Sequence, residues 1–420
     1  MSGIDALISE IPIPKMALVE QHFTALTLEN YSGILRERLE KDSCGIKPGM
    51  SIALTAGSRG IYGIDRILRT IIDFLKSRKA EPFIVTAMGS HGGSTIKGQM
   101  DILASFGITE DTMGCQIVPG TESILINTLP GEIPVMIDKA AFGADGIVVV
   151  NRIKPHTGFR GKYESGLLKM LAVGLGNYMG ANYIHSRGEG EISAKIETIA
   201  SDILSRVNIL FGVGILENCE DKISHIEVIP AGDILRREAE LLKQARTMLP
   251  EIYFKNLDLL IVDRIGKNIS GGGMDPNIAG GFTAPGVETS PRPQLITVLD
   301  LTDETHGAAF GIGDADTTTR RLFEKIDFET TYPNCLVTCT PRLVKIPMVL
   351  PNQKQAVQAA LKMLLSVNRE KLRIVRIQDT LHIDKIWVSE ALMEEADTHP
   401  GITVLAKPAE IVFNSQGDFF

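Results

Sequence analysis

The stretch GADGIVVVNRIKPHTGFRGKYESGLLKMLAVGLG, Gly143 to Gly176, reads as strand, loop and helical run in immediate succession. GIVVV is short, β-branched and apolar throughout, the composition of a strand covered on both faces. A loop of bases and turn residues follows, PHTGFRGK, and then at once the apolar run SGLLKMLAVGLG. One residue is out of keeping with that run. Lys169 lies in the middle of LLKMLAVG, where its charge must leave water.

The same alternation continues on both sides. MSIALTA (50–56) precedes IDRILRTIIDFLKSR, in which Ile64, Ile67, Leu68, Ile71, Ile72 and Leu75 fall at helical spacing. PFIVTAM (82–88) precedes a loop and GQMDILASFG; SAKIETIASDILSRV precedes NILFGVGILEN, SHIEVIPAG and the charged helix DILRREAELLKQARTML. A second series then runs through LDLLIVDRIG (257–266), a glycine-rich loop, QLITVLDL (294–301) and helical patterns at 317–326 and 353–366. Strands that alternate with helices indicate crossover units around mostly parallel sheets. The expectation is an α/β protein of two lobes, 1–255 and 256–420, with the active site in the cleft between them.

Composition sets outer limits. A chain of 420 residues with 44% hydrophobic and 22% charged residues has an ordinary globular make-up and room for about two domains. The net charge of −8 argues against nucleic acid or an anionic membrane as partner. No run reaches the roughly 18 apolar residues of a membrane helix, and MSGIDALISEIPIPK carries acids and prolines where a secretion signal carries bases. A cytoplasmic protein is expected. Cys44, Cys115, Cys219, Cys335 and Cys339 form an odd, scattered set that suits a reducing compartment and structural thiols.

The unusual polar residues share one position. In open α/β sheets, ligands bind beyond the carboxyl ends of the strands. Arg59 follows MSIALT in AGSRGI, His91 follows PFIVTAM in GSHGGS, and His156 follows GIVVVNRI in KPHTG. Lys267 follows LLIVD in GKNISGGG, and His306 follows TVLDL in DETHG. Five expected strand ends therefore each deliver a basic or imidazole group. Their glycines also suit plain tight turns. GSRG and GSHGG can hold phosphate through backbone amides, yet neither is a dinucleotide fingerprint or a Walker loop. His22, His225, His382 and His399 have no such context and read as structural or solvated. Lys169 has three readings: an amine snorkelling from a helix edge, a partner for a carboxylate such as Glu164, or a desolvated nucleophile.

The order SRG, GSHGG, PH…G, SGLLKMLAVGLG and a later isolated histidine resembles the nickel-dependent lactate racemase family, over roughly residues 40 to 215. That family includes racemases and epimerases of other 2-hydroxy acids. The resemblance implies a nickel pincer nucleotide, pyridinium-3,5-bisthiocarboxylic acid mononucleotide, tethered through Lys169. It implies His185, in NYIHSRG, as a nickel ligand, His91 and His156 as the acid/base pair, and Arg59 as a contact to substrate or cofactor. Cofactor-assembly enzymes are then transient partners. The chemistry suits these residue types: the C–H bond at C2 is too weakly acidic for a side-chain base, so a hydride acceptor is required, and imidazoles move the hydroxyl proton near neutral pH. Nickel with sulfur donors and one imidazole is reasonable coordination.

The chain departs from the family pattern in two places. Better-known members carry an aspartate three residues before the arginine, where this chain has Ala56, and a Gln and a Lys after an Asp-x-Asn in the second lobe, where MDPN runs into IAGGF. DETHGAAFGIGDADTTTRR (303–321) stands there instead, with Lys267, Thr305, His306, Asp314 and Asp316 as candidate substrate contacts. A small-molecule substrate larger than lactate, such as a sugar acid, is the expectation. Two other readings compete: a hydrolase or lyase with His91, His156 and His185 around one metal, and a non-catalytic protein that binds an anionic metabolite.

Overall fold

The computed structural model describes all residues except 1, 2, 43, 44, 186–188, 282–286, 288, 289 and 420. The chain divides into two compact units, Thr24–Leu249 and, together, Met1–Phe23 and Pro250–Phe420. We call them the middle and terminal units.

In the middle unit the strands are β1 (Ser51–Ala56), β2 (Glu81–Thr86), β3 (Ile117–Val118), β4 (Gly146–Arg152), β5 (Ile209–Glu217) and β6 (Ile223–Pro230). They form one sheet in the order β3-β2-β1-β4-β5-β6. All neighbours are parallel except β5 and β6. Residues Ile52–Ala56, Gly146–Val150 and Ile209–Leu216 are buried without interruption, because helices cover both faces and no polar alternation is needed. Its helices include α1 (Tyr31–Asp42), α2 (Ile64–Ser77), α3 (Ile96–Ser105), α4 (Leu167–Lys169), α5 (Asn177–His185), α6 (Ile192–Arg206) and α7 (Ile234–Met248). In α2 the six apolar residues at helical spacing are all buried, in the same cluster as Leu35 and Leu39 of α1 and Leu54 of β1. A separate hairpin joins Ser123–Leu129 to Ile133–Asp138.

The terminal unit has an eight-stranded sheet. Its order is Met348–Leu350, Thr317–Thr319, Leu295–Val298, Leu259–Val262, Ile374–Ile377, Lys385–Ser389, Met16–Gln21, Ile402–Val404. The first five are parallel and the rest antiparallel.

Two details differ from the expectation. Residues before Thr24 belong with the C-terminal half rather than with 24–255, because Met16–Gln21 pairs with Lys385–Ser389 and with Ile402–Val404. The helical pattern at 317–326 begins as a strand: Thr317, Thr318 and Thr319 are β-branched and fully buried in the sheet, and the helix is Arg320–Lys325. The Thr319 side chain accepts from the Leu322 N–H and so starts that helix. Cys115, Cys219, Cys335 and Cys339 are free thiols; Cys44 lies outside the described residues. No helix among the described residues is long and apolar enough to cross a membrane.

Candidate functional site

The middle sheet has a topological switch point. From β1 the chain moves outward to β2 and β3, then returns to the other side of β1 as β4. The loops after β1 and β4 therefore diverge to opposite faces and leave a crevice at their carboxyl ends. Arg59 follows β1, His91 follows β2, and Lys154 and His156 follow β4. Ser58, beside Arg59, is hydrogen-bonded to Nδ1 of His91, which ties the first two loops together.

The loop after β4 is closed on itself. Lys154 and Ser165 form an antiparallel bridge, with N–H to carbonyl distances of 3.0 and 3.2 Å. Inside it, the fully buried Glu164 carboxylate accepts from the His156 N–H (2.6 Å), the Gly161 N–H (3.2 Å), Arg160 (3.3 Å) and Arg246 of α7 (2.6 Å). The carboxylate that the sequence offered as a partner for Lys169 is thus engaged mainly by the loop and two guanidinium groups. The Gly158 N–H donates to His156 Nδ1 at 2.9 Å, which assigns the proton of the neutral ring to Nε2.

After the loop come α4 and a π-helical turn, Met170–Gly174. π-Turns recur at functional sites. The turn packs backbone to backbone against the end of β2: a Cβ on Gly174 would lie 2.8 Å from the Ala87 carbonyl, so only glycine fits there. Lys169 is half-buried, with its ammonium 5.5 Å from the centre of the Phe159 ring. Phe159 in turn stacks on His156, the ring centroids 4.2 Å apart. His185 ends α5.

These groups feel one another. Burial, followed by Arg59 and Lys154, lowers the Lys169 amine to about 7, with Glu164 opposing. Burial and then Lys169 lower His185 to about 4. His156 is driven well below the usual histidine value by burial, then by Lys169, His185, Lys154 and Arg59. Arg59 reaches solvent, yet the surrounding protein and Arg152 lower it from its ordinary value. At neutral pH both histidines are neutral and Lys169 is partly an uncharged amine. Such a pocket attracts an anion, presents the Nε2–H of His156 and the neutral imidazole of His185, and holds a nucleophilic nitrogen.

The structure thus brings Arg59, His156, Lys169 and His185 into one electrostatic cluster, with His91 attached through Ser58. Lys154 belongs to the cluster too; its place in KPH, two residues before His156, was the available signal. Lys267, Thr305 and His306 lie in the terminal unit. Lys267 and His306 are exposed, and Thr305 is buried, its hydroxyl accepting from the Lys267 N–H (3.1 Å) and donating to the Ala308 carbonyl (2.9 Å). Asp316 accepts from the Ile296 N–H at 2.8 Å and so fastens two strands. Among the described residues, no three His, Cys, Asp or Glu side chains gather as a metal site, which gives the three-histidine reading no support.

Fold and crevice define an α/β protein with a cationic, imidazole-bearing site at the switch point of a parallel sheet. No family model matches the chain, and no curated protein matches it in sequence. Among solved structures, the lactate racemase apoprotein of Thermoanaerobacterium thermosaccharolyticum superposes with a TM-score of 0.52 at 16% identity, over 86% of this chain and 94% of that one. A protein of Thermotoga maritima matches with a TM-score of 0.48 at 16% identity, over 66% of this chain and 71% of the other. The chain therefore has the lactate racemase fold, in line with the resemblance seen in its motifs.

Proposed function

We propose that the protein is a racemase or epimerase that inverts C2 of a 2-hydroxy acid and carries a nickel pincer nucleotide on Lys169. The observation that carries this reading is the Lys169 amine, held near pH 7 between neutral His156 and His185 at the switch point of a lactate racemase fold.

The residues suit the cofactor. An amine lowered to about 7 is nucleophilic at physiological pH, as a covalent tether requires. An imidazole lowered to about 4 keeps its lone pair for a metal. When bound, the cofactor supplies a hydride acceptor.

The chain's own groups do the rest. Arg59 and Lys154 attract the substrate carboxylate to the crevice. One imidazole takes the hydroxyl proton at a ring nitrogen, and the other, as imidazolium, returns a proton to that oxygen; the pair exchanges roles with each inversion. Burial first, and then the neighbouring cations, hold His156 neutral; an anionic substrate offsets the second of these and so raises its affinity for the proton it must carry. The buried face of α4 and its π-turn keep bulk water from the amine.

The missing Gln and Lys pair in the second lobe supports a substrate larger than lactate, such as an aldonic acid. The hydroxyl of Thr305 and the carboxylate of Asp316 are spent on local structure and add nothing to that argument. The test is protein co-produced with cofactor-assembly enzymes, assayed for hydrogen–deuterium exchange at C2 of aldonic acids and of lactate, with denaturing mass spectrometry and nickel quantification alongside. Exchange accompanied by an adduct at Lys169 is expected. Active protein with neither adduct nor nickel overturns the cofactor assignment, and preference for lactate overturns the larger substrate.

A further inference from the structure

One buried acid in the middle unit has no place in the chemistry above. Glu238 lies on α7, is fully buried, and accepts the Leu168 N–H at 2.9 Å; the Leu167 N–H bonds to it as well. These are the first amides of α4, the short helix that ends at Lys169. A helix start leaves such donors unsatisfied unless a side chain caps them, and the residue before α4 is Gly166, which has none. The cap comes instead from a residue 70 positions further on.

Gly166 makes room for it. A Cβ on Gly166 would lie 2.3 Å from one Glu238 carboxyl oxygen and 2.6 Å from the carboxyl carbon. That same oxygen, Oε1, is buried without a hydrogen-bond partner. Burial raises the Glu238 carboxyl to about 7 against the pull of the two amides. An acid kept at such a disadvantage is retained for what it holds in place.

The hold is not confined to one contact. The Tyr163 hydroxyl donates to the Leu235 carbonyl at 2.9 Å, and Arg246 binds Glu164 at 2.6 Å. Positions 235 and 246 are eleven apart, about three helical turns, so they fall on nearly the same face of α7, with 238 close by. One helix therefore grips the His156 loop through Tyr163 and Glu164 and the start of the Lys169 helix through Glu238.

We propose that Glu238 is a positioning residue that seats Lys169 in the site by capping α4 from α7. This rests on the reading of Lys169 as the functional amine, but its test needs neither cofactor nor turnover. The groups that face Lys169 are Arg59, Lys154 and Glu164, with His156 and His185 responding to its charge. A loosened α4 lets the amine turn toward water, and its pKa returns toward the ordinary 10.5.

The experiment is competitive acetylation of the apoprotein with trace acetic anhydride across pH 6 to 11, read peptide by peptide by mass spectrometry. Lys162, exposed on the same loop, serves as internal control. In Glu238→Ala the titration of Lys169 is expected to move up by about one unit or more, a roughly fivefold or greater drop in the reactive fraction at pH 7. Glu238→Gln, which keeps one acceptor for the amides, is expected to restore most of the wild-type curve. Gly166→Ala, which evicts the carboxyl from the other side, is expected to copy Glu238→Ala and stands in for it if that variant does not fold. An unmoved Lys169 titration in a folded Glu238→Ala or Gly166→Ala protein overturns the proposal. A Glu238→Gln curve no closer to wild type than that of Glu238→Ala also overturns it. A shifted titration in a protein that never acquires adduct or nickel leaves the positioning role standing and removes the proposed function instead.

Discussion

Both sheets of this protein have a switch point, and the two are furnished in opposite ways. In the terminal unit the chain runs from Leu259–Val262 outward through Leu295–Val298, Thr317–Thr319 and Met348–Leu350, then returns as Ile374–Ile377 on the other side. A polar cavity of about 480 Å³ opens there. Most of its charges are paired: Arg376 binds Asp263 through two bonds of 2.7 and 3.0 Å, and Lys325 reaches both Asp300 and Asp303 at 3.1 Å. Arg321 lies 3.1 Å from Asp300. In the middle unit, Arg59, Lys154 and Lys169 crowd together around two histidines, and the nearest carboxylate, Glu164, is engaged by Arg160 and Arg246. A crevice whose charges are mostly spent on one another offers little to a reacting group. A crevice of cations that depress one another's pKa values is held ready for an anion.

The sharpest way to break this contrast is through the histidines. His91→Ala and His156→Ala are each expected to lower turnover by about 10²–10⁴-fold while nickel content stays as in the wild type. Removing any member of the terminal cavity is expected to change stability alone. A fully active His156→Ala would show that the middle crevice is no more chemical than the other.

Next in size is a pH effect on stability. The folded Glu238 carboxyl keeps its proton up to about 7, while the unfolded chain releases it near 4.5. Between those values the folded state binds more protons, so this group's contribution is full below 4.5 and is lost as pH rises through 7, a difference of about 3 kcal/mol. His185, lowered from 6.5 to about 4, works in the opposite sense over an overlapping range, and Lys169 does so between about 7 and 10.5. Urea unfolding of wild type and Glu238→Gln across pH 4.5 to 8 isolates the first contribution as a difference. The stability of wild type relative to Glu238→Gln is expected to fall as pH rises through 7, and a pH-independent difference would mean that Glu238 titrates normally.

Much of this contrast was legible in the sequence, for a physical reason. Strands covered on both faces must be continuously apolar, so β1, β2, β4 and β5 stand out, and the residues directly after a parallel strand are bound to reach its carboxyl edge. Arg59, His91 and His156 could be placed that way, and Lys169 betrayed itself as a charge within an apolar run. Pairing choices could not be read. MALVEQ is a good strand sequence, yet nothing in it says that its partners lie at Lys385–Ser389 and Ile402–Val404. Glu238 was hidden differently: in LRREAELLKQAR it is one of two acids among several bases on a charged helix, and the fold turns it inward. The threonines at 317–319 sat in a helical pattern because three residues are too short a window to show a period of two.

A smaller effect tests the matched cavity itself. Asp263→Ala leaves the Arg376 guanidinium, half-enclosed between Trp387 and Phe419, without its bidentate partner. The pair is only partly buried, so a loss of about 2 kcal/mol is expected, less than for a fully buried pair. Denaturant unfolding at fixed pH measures it. The Lys169 titration is expected to stay where it is, and a shift there would show that the two crevices are not independently furnished.

The smallest effect is expected at the rim. Arg264 lies 3.1 Å from Asp379, a pair that looks as strong as the others by distance alone. Its two ends differ in exposure: the Arg264 side chain is 44% exposed and the Asp379 carboxylate fully buried. Asp379 does not depend on the arginine, because it also accepts the N–H groups of Leu381 and His382 at 3.0 Å and the His382 ring at 2.7 Å. Those bonds fix the turn after Ile374–Ile377 and persist when the guanidinium is removed. Arg264→Ala is therefore expected to cost about 0.5 kcal/mol, the scale of an exposed ion pair, and less at high salt. Asp379→Ala is expected to cost several times more, since it strands two amides and an imidazole. Equal losses for the two variants would mean that the arginine, rather than the turn, holds this edge of the cavity.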